Sequence, residues 1–196
     1  MASNAGIEHQ VCYHRAMEPE DARKNILASL GRSGATLFAI SCAERLRPLL
    51  SHVPSGATPL IAGVALTELW RVLEGAQRPD PRRLSELSQK CWALVDIEPT
   101  PKVATAYLEG LVGATHHALE AYLSGNAQQA VLAAQKSFDA AAQKALGDEE
   151  KARQDRDVRE ISDAVRAGAP PLGQLGTRLR ERAEKEGKSL VASLLK

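Results

Sequence analysis

The sequence predicts an all-α fold, a compact bundle of about eight helices around a central antiparallel helical hairpin, and three observations carry that prediction. The apolar mass is alanine and leucine, 32 and 25 of 196 residues, while aromatic residues make up only 4%. Those two residues lose little side-chain freedom in a helix, whereas strands draw on Val, Ile, Thr and aromatics. Proline repeatedly follows a capping residue, and glycine recurs at the spacing of helix ends. No segment alternates apolar and polar residues as a half-buried strand does.

Each helix is read from its punctuation. Thr58-Pro59, Asp80-Pro81 and Thr100-Pro101 place a side-chain acceptor at N-cap and proline at N1, where its missing N–H costs nothing. Glu18-Pro19 is a weaker version. Gly31, Gly75, Gly125, Gly147 and Gly168 stand where helices should stop in the left-handed conformation. The first helix is then 19–30. The second follows a Ser33 cap and carries Leu37, Phe38, Cys42, Leu46 and Leu49, with Pro48 marking a kink or a fraying last turn. The third is 59–74. The fourth, 81–95, sets Leu84, Leu87, Cys91, Leu94 and Val95 on one stripe. The fifth, 101–124, shares a face among Tyr107, Leu111, Ala114, Ala118 and Tyr122. The sixth starts after Asn126, runs to 145 and buries Ala130, Val131, Ala134, Phe138, Ala141 and Ala142. The short Gly125-Asn126 link makes helices five and six an antiparallel pair.

Composition shifts near Asp148: the last 49 residues hold 21 charged side chains, against 28 in the preceding 147. The domain reading is an N-terminal extension (1–18), an alanine- and leucine-rich core (19–147) and charged C-terminal helices (148–196) on the same domain. Two helices are expected there, 148–167 and 177–195, separated by Gly168-Ala169-Pro170-Pro171. Glu149/Arg153, Asp155/Arg159, Glu181/Lys185 and Glu184/Lys188 have the spacing of ion pairs on a solvated helix face, each worth a few tenths of a kcal/mol. Val158, Ile161 and Val165 supply a thin apolar stripe, and Leu190, Val191, Leu194 and Leu195 dock the last helix.

Net charge is +1, which builds no field for nucleic acid. No stretch approaches the roughly 20 apolar residues of a membrane span, and the first ten residues lack a secretory pattern. A soluble cytoplasmic protein is expected. Cys12, Cys42 and Cys91 form no metal-type pair and read as buried thiols. His116 and His117 lie about 100° apart around a helix, so they converge poorly on one ion, although His116 and Glu120 share a face. Cys12 and His14 lack an orienting third group, and Ser33 among glycines follows a helix rather than the strand of a nucleophile elbow. No catalytic residue, metal site or cofactor is expected. Partner binding is expected at the turn bearing Arg78, Arg82 and Arg83 and at Asp155, Arg156 and Arg159 on the charged outer helices.

One motif is more specific. Cys42-Ala43-Glu44-Arg45-Leu46-Arg47-Pro48, followed by Leu66, Leu69, Trp70, Leu73 and Gly75 in the next helix, resembles the YjaG-like family of small bacterial helical proteins of undefined function. Looser matches are Gly125-Asn126-Ala127, Asp148-Glu149-Glu150, Leu179-Arg180-Glu181-Arg182 and Gly187. The pattern's aromatic-rich tail segment is here the polar 151–156. The opening motif is also similar to that of helical immunity proteins of bacterial polymorphic toxin systems. That resemblance implies an immunity protein that occludes a cognate toxin; the alternative is a helical regulator or adaptor unrelated to toxins. From the residues themselves, Cys42, Glu44, Arg45 and Trp70 read as fold determinants. Cys42 and Leu46 face the core, Glu44 and Arg45 point elsewhere, and one of those two bonds across to helix three while Trp70 caps the junction.

Overall fold

The computed structural model describes residues 19–52, 60–95, 103–168 and 173–195. They form α1 (Pro19–Ser29), α2 (Gly31–Glu44), a 3₁₀ turn (Arg47–His52), α3 (Leu60–Leu73), α4 (Pro81–Val95), α5 (Val103–Ser124), α6 (Ala127–Ala142), α7 (Gly147–Arg166) and α8 (Gly173–Leu194). No strand occurs among the described residues. No described helix is long and apolar enough to cross a membrane. The Thr58-Pro59 and Thr100-Pro101 starts, the 1–18 extension with Cys12 and His14, and Pro170-Pro171 lie outside the described residues.

The bundle is built around α2. Every residue from Gly34 to Leu46 is buried, so this helix has no solvent face and packs on α1, α3, α5, α6, α7 and α8. A helix enclosed all round needs apolar residues all round, and Ala35, Leu37, Phe38, Ala39 and Ile40 supply them. The α5–α6 hairpin packs on it. Its register is antiparallel: His117 meets Gln129, Gly113 lies under Lys136, and Gly110 lies under Ala140. A Cβ on Gly110 would stand 3.1 Å from that of Ala140, so the close approach depends on small residues.

The punctuation is mostly as the sequence indicates. Asp80 caps α4, accepting from the Arg83 N–H at 3.1 Å, and Asn126 caps α6, accepting from the Gln128 N–H at 2.9 Å. Gly31, Gly75, Gly125 and Gly168 take positive φ. Gly147 does not. The left-handed residue ending α6 is Ala145, φ 58°, where the Leu146 N–H bonds to the Ala141 carbonyl and the Ala145 N–H to that of Ala142. That is a Schellman cap with alanine in the glycine position. Gly147 instead opens α7, and a Cβ there would stand 3.0 Å from the Phe138 ring.

Three further expectations are corrected. Ser33 caps nothing, because Gly31 turns the chain within one residue and α2 starts there, leaving no extended cap position. The last helix begins at Gly173 rather than Thr177, since Leu175 and Leu179 are buried one turn apart and hold its first turn down. Phe138 is only half-buried and Ala142 exposed, because α6 is open on the side that faces α1 and α7.

Candidate functional site

The Cys-Ala-Glu-Arg motif closes α2 at the junction of four helices. Glu44 makes the expected bond to the third helix: its Oε2 accepts from the Trp70 indole N–H at 2.8 Å, and Oε1 pairs with Arg47 at 3.2 Å. Burial raises the Glu44 pKa, against the lowering pull of Arg47 and of the Trp70 hydrogen bond. From α8, Arg180 lies 5.9 Å over the Trp70 ring and pairs with Glu74 at 3.1 Å.

Arg45 does not point elsewhere. Its side chain is 0% exposed and runs inward to α7. Nη2 lies 2.9 Å from Glu150 Oε1, Nε donates to both Glu150 oxygens, and Nη1 donates to Asp157 at 2.7 Å. Glu150 also accepts from the Ser137 hydroxyl at 2.9 Å and from Gln154 at 3.1 Å, while Asp157 accepts from Arg182 of α8 at 2.8 Å. Gln154 in turn accepts from Arg23 of α1 at 3.0 Å. Five helices are tied by one network in which the buried carboxylates of Glu150 and Asp157 are held by Arg45 from the end of α2 and by Arg182 from α8, with Arg23 of α1 joined through Gln154. Burial is the largest single influence and opposes the charge on Arg45, yet Glu150, Cys42 and Asp157, with the hydrogen bond to Glu150, together outweigh it and raise the Arg45 pKa. Cys42 beside it is pushed up to about 12 by burial, so this thiol is neutral and unreactive at ordinary pH. Cys91, also buried, is likewise pushed up to about 12.

A second polar cluster joins α4 and α5. The Ser88 hydroxyl donates to Glu120 at 2.6 Å, leaving Ser88 Oγ and its carbonyl, at 2.9 and 3.1 Å, to accept from His116 Nδ1. The serine proton is therefore committed to the carboxylate and not to the imidazole, the reverse of a base-activated nucleophile. His117 bonds Gln129 at 2.8 Å, and burial lowers its pKa. Trp92, 46% exposed, lies 4.8 Å from the His116 ring. No group of three His, Cys, Asp or Glu side chains among the described residues is placed to hold a metal ion.

The six expected partner-binding residues do not form one surface. Arg78 and Arg82 are exposed at the start of α4, and Arg83 there pairs with Glu68 of α3 at 3.2 Å. That helix packs on α3 and α5, whereas α7, which bears the other three, packs on α2, α6 and α8. Arg156 turns towards α8 and pairs with Glu186 at 2.6 Å. Asp155 and Arg159 alone of the six border a concavity of about 560 Å³ between α1, α6 and α7. Its apolar wall is Ile26, Val131, Phe138 and Val158, its charged edge adds Lys151, and Arg23 reaches across to Asp155 at 2.7 Å. Two smaller concavities lie beside the 3₁₀ turn; that of about 470 Å³ is bordered by Leu60 and Val64 with Arg47, and that of about 450 Å³ is lined chiefly by residues already paired, such as Glu44, Arg47 and Arg180.

Sequence reasoning missed Glu150, Gln154 and Asp157. Their signal was present: with Ile161 they stand at i, i+4, i+7 and i+11, one continuous face of α7. It was polar, so it read as solvated. No family model, curated protein or solved structure matches this chain.

Proposed function

We propose that this chain is a cytoplasmic immunity-type binding protein that neutralises a bacterial protein toxin by covering it, with no chemistry of its own. One observation carries the reading. The buried charges at the centre of the bundle, Arg45, Glu150 and Asp157, are spent on one another, while the α1–α6–α7 groove leaves Ile26 and Phe138 open between charges of both signs. Groups saturated in this way hold helices together, and an unfilled apolar wall with a polar edge is the anatomy of an interface. The likeness of Cys42–Pro48 to the opening of helical immunity proteins points the same way. A net charge of +1 favours a partner whose docking surface is not strongly basic.

The test is direct. Co-expression with the toxin encoded beside this gene should protect cells, and the two chains should co-purify with nanomolar affinity. Cells that survive the toxin without this protein, or die with it, would sink the proposal.

A further inference from the structure

We infer that the groove between α1, α6 and α7 receives two turns of a partner helix whose apolar face is flanked by carboxylates. The inference rests on the reading of the chain as a binding protein and adds the chemistry of what is bound. Size comes first. The groove runs along Lys151, Asp155 and Arg159 of α7 and along Val131 to Phe138 of α6. Eight and seven residues at 1.5 Å rise give a trough about 10–12 Å long, the length of two helical turns. An occupant of that length offers apolar side chains at i, i+4 and i+7, the usual anchors of a helix laid in a groove.

Apolar complementarity comes second. Ile26 is 46% exposed although it stands beside Leu27, which is fully buried. It lines the same concavity as Phe138, which is left half-buried, with the largely buried Val131 and Val158 beneath them. These side chains share one open trough rather than being scattered singly, and that is the feature that marks an interaction site.

Charge decides the flanks. Arg23 and Asp155 neutralise each other across the groove at 2.7 Å. Lys151 and Arg159 remain on its edge with no ion pair among the described residues; the Arg159 guanidinium bonds only a backbone oxygen, that of Asp155, at 3.2 Å. The edge therefore carries two positive charges, one turn either side of Asp155, that no described residue pairs. A basic flank would be repelled there, whereas glutamate or aspartate flanks would pair with both.

The probe is a helical peptide of about 14 residues with leucine at i, i+4 and i+7 and glutamate on both flanks, compared with its lysine-flanked twin. Fluorescence anisotropy at low salt against the full chain should show the glutamate peptide binding at least about tenfold tighter. The preference should vanish in Lys151→Glu/Arg159→Glu, and Ile26→Asp should weaken binding about tenfold, while Val64→Asp on the far helix α3 leaves it unchanged. Equal binding of the twins, no binding, or indifference to Ile26→Asp would overturn the inference. So would a dimer in sedimentation that Ile26→Asp dissolves, which gives the groove to a second copy. A gain in affinity on replacing Val11 and Tyr13 by Asp would give it to the chain's own first 18 residues. Failure of the proposed function reads differently: a peptide that binds as expected while the neighbouring toxin still kills leaves the groove standing and removes the toxin. Full protection by the Ile26→Asp and Lys151→Glu/Arg159→Glu chains does the opposite.

Discussion

The two sides of α7 use the same kind of residue for opposite ends. On the inner side, Glu150, Gln154 and Asp157 are buried, and their polar atoms meet partners from α1, α2, α6 and α8. On the outer side, Lys151, Asp155 and Arg159 stand in solvent at the edge of an apolar trough. Composition does not separate the two sides, since both are charged. What differs is the presence of a complementary group at the right depth. Arg45, sent inward from the end of α2, lets α7 bury carboxylates where a bundle helix would place leucine. A buried ion pair is weak evidence for net stability, because desolvation offsets its attraction; once formed, it penalises every packing in which a partner is missing. Here it fixes which face of α7 turns inward and the register of α7 on α2.

The sharpest way to break this contrast is to remove the shared cation. Arg45→Met keeps much of the volume but strips Glu150 of its close cation in the interior and leaves Asp157 held from α8 by Arg182 alone. Leaving buried charges uncompensated costs about 3–5 kcal/mol, so urea unfolding should show a loss of that size. A loss below about 1 kcal/mol would mean that the inner face tolerates unpaired carboxylates and is not distinct from the outer one.

A smaller effect is expected where α8 closes the network. Gly187 packs so tightly on the end of α2 that a Cβ there would stand 2.5 Å from the Arg45 carbonyl oxygen, a backbone atom that cannot swing aside. Gly187→Ala gains helix propensity of up to about 1 kcal/mol yet forces the two helices apart. The net loss should be about 1–3 kcal/mol, as for overpacked cores. Because Arg182 lies on the same helix, its bond to Asp157 should lengthen, and a crystal structure of the variant would show it. An unchanged Arg182–Asp157 distance would uncouple α8 from the network.

Much of this was legible in the sequence because helix punctuation is local. Asp80, Asn126 and the glycines at 31, 75, 125 and 168 act through their own backbone, so their type foretells their conformation. Ala145 was not legible, since an alanine in a left-handed cap is strained by its own Cβ and is tolerated where the surrounding turn imposes it. The destination of Arg45 was hidden for a different reason. Its partners lie 105 and 112 residues away, and nothing near it announces them. Of the four pairs spaced as surface ion pairs, Glu149–Arg153 and Glu184–Lys188 form, at 3.0 and 3.1 Å. Asp155 turns instead to Arg23 on another helix. The groove was half legible: Asp155 and Arg159 were singled out as charges, while Phe138 read as an ordinary core residue and Ile26 was not singled out.

The smallest stability effect is the one that most sharpens the contrast. Lys151→Glu/Arg159→Glu reverses two charges on α7 only one residue from Glu150 and two from Asp157, close enough that a general repulsion along the helix would be felt if sequence distance governed it. Both reversed side chains are exposed, and Lys151 touches no described partner. Solvent screens exposed charges, and surface substitutions away from packed features stay within about 0.5 kcal/mol. Urea unfolding of the double variant should therefore overlay the wild type, while its preference for a glutamate-flanked helix disappears. The reason is geometric: a helix turns about 100° per residue, which carries Lys151 off the buried face to the groove edge and Arg159 to the far side, so both reversed charges stand in solvent that screens them. A stability loss comparable to that of Arg45→Met would show that the two sides of α7 are one electrostatic unit, and the groove edge would then belong to the fold rather than to a partner.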